Sequence, residues 1–363
     1  MLLAQNWERF KVMNPNLSQY KIDEVEKMLH CRDPKYGFLT YKCSKCDTTK
    51  TVPLACKSRI CPQCGKKHAD QWAAELVNRL FAVPHRHMVF TMPEELRALF
   101  EADQSLFKVL MDAVSNTMQQ LLKDKHRAVP GIVCVLHPYG KELNLNPHVH
   151  VLLTEGGLTK TGEWVSVSFL EYGALRRIWQ YQLLTLVKRV LPRSLENKCL
   201  IDRLFREHRE GFYVYAKRRV SKPRHIAGYI GRYLRHPAIA ESRISDFNVE
   251  TNMVTYWFVD ENKVKRFVTL HAFEFIGRLV RLIPDKNLKL IRYYGLYSRR
   301  TSARLQKVLT VLSCEKVPVK PKREVVLCSN CGYVMDLVGV TMSDEGGGLV
   351  YGEWDDDYDY ANW

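Results

Sequence analysis

Two histidines separated by one residue, in Asn146-Pro147-His148-Val149-His150-Val-Leu-Leu, lie in a run whose aliphatic and β-branched content predicts a strand. Side chains alternate along a strand, so both imidazoles leave one face and can share one ion. A second strand-like run, Gly131 to Leu136, ends at His137, and a loop bearing Gly and Asn lets the two runs pair as a hairpin. Three histidines leave positions open on a divalent cation. Such a partly hydrated ion can polarise a phosphate oxygen and stabilise a developing alkoxide, which phosphodiester cleavage requires. His137 is the preferred third ligand, and His85 and His87, on another short run, are the alternatives.

Some eighty residues further on, Ile226-Ala-Gly-Tyr229-Ile-Gly-Arg-Tyr233-Leu-Arg235 sets two tyrosines four apart, on one face of a predicted helix. A phenol titrates near ~10, so a nucleophilic tyrosine needs a cation or a base to help it ionise. Arg232 and Arg235 accompany the pair, and the run containing Lys217, Arg218, Arg219 and Arg224 precedes it, a backbone-holding pattern for a polyanion.

Cys43-Ser-Lys-Cys46 and Cys61-Pro-Gln-Cys64 have the spacing of a four-thiolate Zn²⁺ site on two knuckles. The surrounding segment, Cys31 to His68, has no apolar period able to form its own core, so a closed structural ion would supply its folding energy. Cys31, Cys56, His30 and His68 could complete a second site or replace a member of the first; spacing does not choose. The basic residues Lys42, Lys45, Lys50, Lys57, Arg59, Lys66 and Lys67 suit the module to phosphates. Cys328-Ser-Asn-Cys331 has the same local form without a second pair, and no complete site is expected there.

These residues must be positioned by a sizeable scaffold, and 363 residues with 46% apolar content provide two or three compact units. Lys and Arg exceed Asp and Glu by 55 to 39, a net charge of +16 that points to nucleic acid. No apolar run of membrane-spanning length and no secretory leader is present, so a cytoplasmic, DNA-associated protein of bacterial type with reduced thiols is expected. Strands are predicted at Met88–Met92, Phe212–Lys217, Val254–Val259 and Lys265–Leu270, besides the histidine hairpin. Helices are predicted near 70–82, after Pro93 to about Lys125, and at 171–190, 195–208 and 226–234. Strands mixed with helices, without βαβ alternation or a Gly-rich phosphate loop, give an α+β class. The expected organisation is an N-terminal helix and zinc module over 1–70, a catalytic domain over 80–300 with a helical insertion near 160–210, and a C-terminal stretch over 301–363. That last stretch is read as a linker and a poorly ordered acidic tail.

Taken in order, LACKSRICPQC, HMVFTMPEEL, LHPYGKELNLNPHVHVLLTEGG, YVYAKRRV, IAGYIGRYLRHP and LHAFEFIGRLVRLIPDKNLKLIRYYGLYS resemble the HUH superfamily. More narrowly, they resemble the rolling-circle transposases of the insertion sequence 91 family. The resemblance implies a central antiparallel sheet flanked by helices, with Mg²⁺ or Mn²⁺ on His148 and His150. Tyr229 and Tyr233 would attack single-stranded DNA at transposon ends and target, leaving a 5′-phosphotyrosine and a free 3′-OH. The chain departs from the family pattern at His137-Pro138-Tyr139, where Thr-Trp or Thr-Phe commonly follows the histidine.

A plasmid or phage replication initiator or relaxase would use the same chemistry, but the cysteine module favours the transposase. A non-catalytic zinc-dependent DNA-binding protein accounts for charge and cysteines and leaves the histidines and tyrosines unused. A three-histidine hydrolase of small molecules does not need the basic surface. Oligomeric state is not encoded in any of these features.

Overall fold

The computed structural model describes residues 2–58, 60–167, 170–216, 239–260, 262–298, 325–343 and 349–353. The chain forms two compact units, Met1–Lys67 with Lys320–Trp363, and His68–Val319. The first unit begins with α1 (Leu2–Met13) and α2 (Gln19–Leu29). Trp7 and Phe10 of α1 and Val25 of α2 are buried, and Lys11 reaches Glu26 at 2.7 Å. Next come β1 (Gly37–Lys42) and β2 (Thr49–Pro53), paired antiparallel from Phe38↔Pro53 to Lys42↔Thr49. The sequence did not lead us to expect these strands, because Phe38 and Leu39 are adjacent and β2 is mainly polar, so neither run shows the apolar alternation that marks a strand.

Helix α3 (Pro62–Arg79) leads into the second unit. There β3 (His85–Thr91), β4 (Ala128–Tyr139), β5 (Leu145–Thr159), β6 (Trp164–Ser166) and β7 (Val214–Ala216) belong to one sheet. Helices α4 (Arg97–Ala102), α5 (Leu106–His126), α6 (Tyr172–Val190) and α7 (Leu195–Glu207) intervene along the chain. A second sheet contains β8 (Ile244–Asn248), β9 (Met253–Val259) and β10 (Lys265–His271), followed by α8 (Ala272–Arg281). Strand β11 (Ile291–Gly295) then returns to the first sheet, whose order is β11-β4-β5-β3-β7 with β6 on β5.

Strand parity divides this central sheet into two unlike faces. Met88, Phe90, Ile132, Cys134, Leu136, Val149, Val151 and Leu153 share one face and one hydrophobic core with Phe107, Leu110, Val114, Trp179 and Leu183 of α5 and α6. On α6 the buried residues Leu175, Trp179, Leu183 and Val187 recur every four positions, one stripe of a helix. The opposite face carries Val133, Val135 and Leu152, which pack under Trp72, Leu76, Val77 and Leu80 of α3 and its extension. The histidines continue that second face.

At the C-terminus β12 (Asp336–Ser343) pairs with β1 in the first unit, and β13 (Leu349–Glu353) pairs with β12. The expectation of a linker and poorly ordered tail over 301–363 is therefore corrected for 336–343 and 349–353: the strand that includes Leu337-Val-Gly-Val340 lies between β1 from the N-terminus and β13. The acidic end, 354–363, and the linker run 301–324 lie outside the described residues.

Gly295, at the end of β11, has φ of +56°, and a Cβ there would stand 1.9 Å from the carbonyl oxygen of Pro130 on β4. Both left-handed strain, about 1–2 kcal/mol, and a backbone clash oppose any side chain at this position. Gly295→Ala is expected to lower the midpoint of thermal unfolding by about 5 °C or more, measured by circular dichroism on the zinc-replete protein.

Candidate metal centres

The registry of β4 against β5 sets His137 directly opposite His148 and Val135 opposite His150. Because opposite residues share a face, three imidazoles converge at the end of the sheet beyond the cover of α3. One ligand nitrogen from each of His137, His148 and His150 lies within 4.8 Å of the others. Ring centroids are 5.3 Å apart for His137 and His148, 4.2 Å for His137 and His150, and 5.1 Å for His148 and His150.

The protonation pattern suits a cation. His148 Nδ1 lies 2.7 Å from the carbonyl oxygen of Asn146, which can only accept, so Nδ1 carries the proton and Nε2 keeps its lone pair. His150 Nδ1 lies 2.9 Å from His87 Nε2, which leaves His150 Nε2 for the cluster. His87 thus stands behind a ligand as its hydrogen-bonded neighbour; it is outside the three-histidine group. His85 is also outside it: the ring is fully buried, Nε2 is 2.7 Å from Tyr297 Oη, and burial holds its pKa at about 4. Desolvation pushes His137 down to about 3, with the like charge of His148 and His87 adding to it, and burial lowers His148 and His150 too. Neutral imidazoles are competent ligands at physiological pH.

The hairpin that presents these ligands is clamped from outside the sheet. Its turn, Gly140 to Asn144, closes through Gly140 N–H to Asn144 O at 2.9 Å, with Leu143 at φ of +61°. Tyr256 Oη of β9 donates to Glu142 O at 3.0 Å, Arg278 of α8 donates to the same oxygen at 3.3 Å, and Lys141 Nζ donates to Val259 O at 3.1 Å. None of these tethers was legible in the sequence, since each joins a side chain to a backbone carbonyl or donor that has no residue-type signature.

Eight cysteines form two clusters, each with its ligand atoms within 4.8 Å: Cys31, Cys56, Cys61 and Cys64; and Cys43, Cys46, Cys328 and Cys331. This corrects the expectation that Cys43, Cys46, Cys61 and Cys64 share one ion. The β1–β2 hairpin holds Cys43 and Cys46 at its turn, whereas Cys61 and Cys64 lie at the start of α3 with Cys31 after α2. Sulfur separations are 3.7 Å for Cys31–Cys64, Cys56–Cys64 and Cys31–Cys61 in the first cluster. In the second they are 3.5 Å for Cys43–Cys331 and Cys46–Cys328, and 3.6 Å for Cys46–Cys331. A tetrahedron of metal–sulfur bonds near 2.3 Å has edges of about 3.8 Å, so both clusters fit one Zn²⁺ each, and both are far too wide for disulfides. His30 stacks on Tyr36 with centroids 3.6 Å apart and belongs to neither cluster.

Cys61 is pulled down to about 5 by hydrogen bonding from Cys56, and Cys64 is pushed up to about 11 by burial. In the other cluster Cys46 is held near 6, chiefly by Thr48. Crowded thiols that share protons in this way release them to a cation.

Tyr229, Tyr233, Lys217, Arg218, Arg219, Arg224, Arg232 and Arg235 all lie outside the described residues.

The geometry defines an α+β protein with two four-thiolate groups and a three-histidine group, each able to hold a metal ion. Comparison with known sequences makes this specific. Residues 2–92 match the family described as "Transposase zinc-binding domain", and residues 131–304 match the one described as "Putative transposase". The chain is 30% identical over 319 residues, 84% of its length and 77% of the relative's, to the transposase for insertion sequence element IS801 of Pseudomonas savastanoi pv. phaseolicola. It is 25% identical over 313 residues, 81% of its length and 78% of the relative's, to "Putative transposase y4qJ" of Sinorhizobium fredii. No solved structure gives a significant match. The chain belongs to the insertion sequence 91 family of transposases, with an N-terminal zinc-binding domain.

The two-cluster arrangement predicts two zinc ions per chain by elemental analysis. Cys328→Ser combined with Cys331→Ser should lower this to one; an unchanged stoichiometry would return Cys43 and Cys46 to a site with Cys61 and Cys64.

Proposed function

We propose that this transposase cuts and rejoins single-stranded DNA through a 5′-phosphotyrosine, with Mg²⁺ or Mn²⁺ held by His137, His148 and His150. The observation that carries the reading is the convergence of three neutral imidazoles, His150 buried and His137 and His148 half-buried, on one sheet face. A structural zinc site would be closed by four protein ligands, whereas three histidines leave room for phosphate and water. When bound, the ion would neutralise charge on the scissile phosphate and lower the pKa of groups that approach it.

The chain's own groups do the rest. The phenolate oxygen of Tyr229 or Tyr233 attacks phosphorus, forming the tyrosyl ester as the bond to the 3′ oxygen breaks. That oxygen leaves as an alkoxide and takes a proton to become the 3′-OH. Phosphodiester energy stays in the ester, so attack by a 3′-OH reverses the step and rejoins a strand without ATP. Asn146 O fixes the ring of His148, and His87 fixes that of His150, so the ligand nitrogens need no reorientation. The basic residues from Lys217 to Arg235 hold the DNA backbone. Membership of the transposase family accords with DNA as the substrate.

The test is incubation of zinc-replete protein with labelled single-stranded DNA from the element's ends and Mn²⁺, then denaturing electrophoresis. A covalent adduct is expected, lost in His148→Ala and in the Tyr229→Phe, Tyr233→Phe double variant; an adduct that persists in the double variant removes the tyrosine assignment. His87→Ala should weaken Mn²⁺ binding by roughly 10–100-fold in calorimetry, with partial recovery in His87→Gln, whose amide oxygen can accept from His150.

A further inference from the structure

The β8–β10 sheet has one covered face and one open face. Along β9, Val254, Tyr256 and Phe258 are buried on the side of α8, where Phe275, Ile276 and Val280 are buried too. The alternate residues Met253, Thr255, Trp257 and Val259 remain accessible. Trp257 pairs across strands with Phe267, which is 59% exposed, and Thr255 pairs with Thr269 through hydroxyls 2.9 Å apart.

Cations cluster at the aromatic end of this face. Lys265 Nζ lies 4.2 Å from the Trp257 ring and 5.1 Å from that of Phe267, and the Arg243 guanidinium lies 5.7 Å from Trp257. Lys263 is exposed at the β9–β10 turn. Arg266 is already matched by Asp260 at 2.9 Å. Asp246 of β8 is opposite Thr255, one same-face position along β9 from Trp257.

We propose that Trp257 and Phe267, with Lys265 and Arg243, form a stacking platform for single-stranded DNA. Flat rings with adjoining cations on an open sheet suit a strand whose bases are unstacked, because any base offers a π face while its phosphates need positive charge. A duplex keeps its bases stacked inside and would meet only the cations. Exposed lysine and arginine held over a ring form the weaker contact; an arriving base takes their place and frees them for phosphate. The same sheet grips the histidine hairpin through Tyr256 and the carbonyl of Val259, so a strand held here is tied to the elements carrying the metal ligands. The platform rests on the reading of single-stranded DNA as substrate and adds a binding surface outside the histidine and tyrosine groups.

The experiment is fluorescence anisotropy with a labelled single-stranded oligonucleotide and with the same sequence as a duplex, using full-length zinc-replete protein without added Mg²⁺ or Mn²⁺. Trp257→Ala should weaken single-strand binding by roughly 5–150-fold, the range for loss of one stacked base. Phe267→Ala should weaken it in the same sense, Trp257→Phe should restore most of it, and duplex affinity should change less than about threefold. Phe267 is exposed, so its truncation leaves the core intact and covers the case in which Trp257→Ala does not fold. Unchanged single-strand affinity in folded Phe267→Ala and Trp257→Ala overturns the proposal, as does a loss equal for single strand and duplex. A lowered sedimentation mass with DNA affinity retained also overturns it and assigns the face to a second copy of the chain. Failure of the covalent step leaves this binding result standing, whereas an adduct formed with undiminished binding in the variants removes the platform alone.

Discussion

The antiparallel pairing of β4 with β5 is the constraint on which the candidate active centre depends. With His137 opposite His148 and Val135 opposite His150, every second residue of both strands faces the same side, and that side receives the three imidazoles. A slip of one residue in either strand would send its histidines into the apolar layer beneath α5 and α6, where Leu136, Val149 and Val151 now pack. The hydrophobic core on one face therefore fixes the position of the ligands on the other. Tyr256, Arg278 and Lys141 hold the hairpin turn from outside, and β11 on one side and β3 on the other leave β4 and β5 no free edge along which to slide.

The zinc-binding unit follows a different physical logic. Its sheet joins β1 and β2 to β12 and β13, so strands from the two ends of the chain must meet. The Cys43–Cys331 contact spans 288 residues, and closing a flexible loop of that size costs roughly 5 kcal/mol in chain entropy. A structural Zn²⁺ site would supply folding free energy that offsets this cost in a unit whose strands bury little apolar surface. The first cluster, Cys31 with Cys56, Cys61 and Cys64, closes only a short loop and ties the end of α2 to the start of α3. Two ions, one on each thiolate cluster, would give a largely polar segment the rigidity that a core gives elsewhere.

Burial does two jobs at the histidine centre. It keeps the imidazoles neutral, and it places the hydrogen-bond partners Asn146 O and His87 Nε2 where they fix ring orientation. A cation entering such a site meets preset nitrogens, so little reorganisation is required.

The sequence by itself determined the α+β class, the histidine strand and the family, because period-two alternation and a His-Val-His spacing are local properties that a strand converts directly into a shared face. It also marked each Cys-x-x-Cys pair, since two intervening residues suffice to bring both sulfurs to one ion. Tertiary structure alone decided which pairs share an ion: Cys43 and Cys46 meet Cys328 and Cys331, and spacing along a chain carries no information about partners joined by long-range strand pairing. The same holds for His87, which has the residue type of a ligand yet sits one strand away, opposite Leu152, where it meets His150. Likewise the polar strands β1 and β2, and the open aromatic face of β9 and β10, acquire their meaning only from what lies beside them, because burial is a property of the folded surroundings and spacing is a property of the chain.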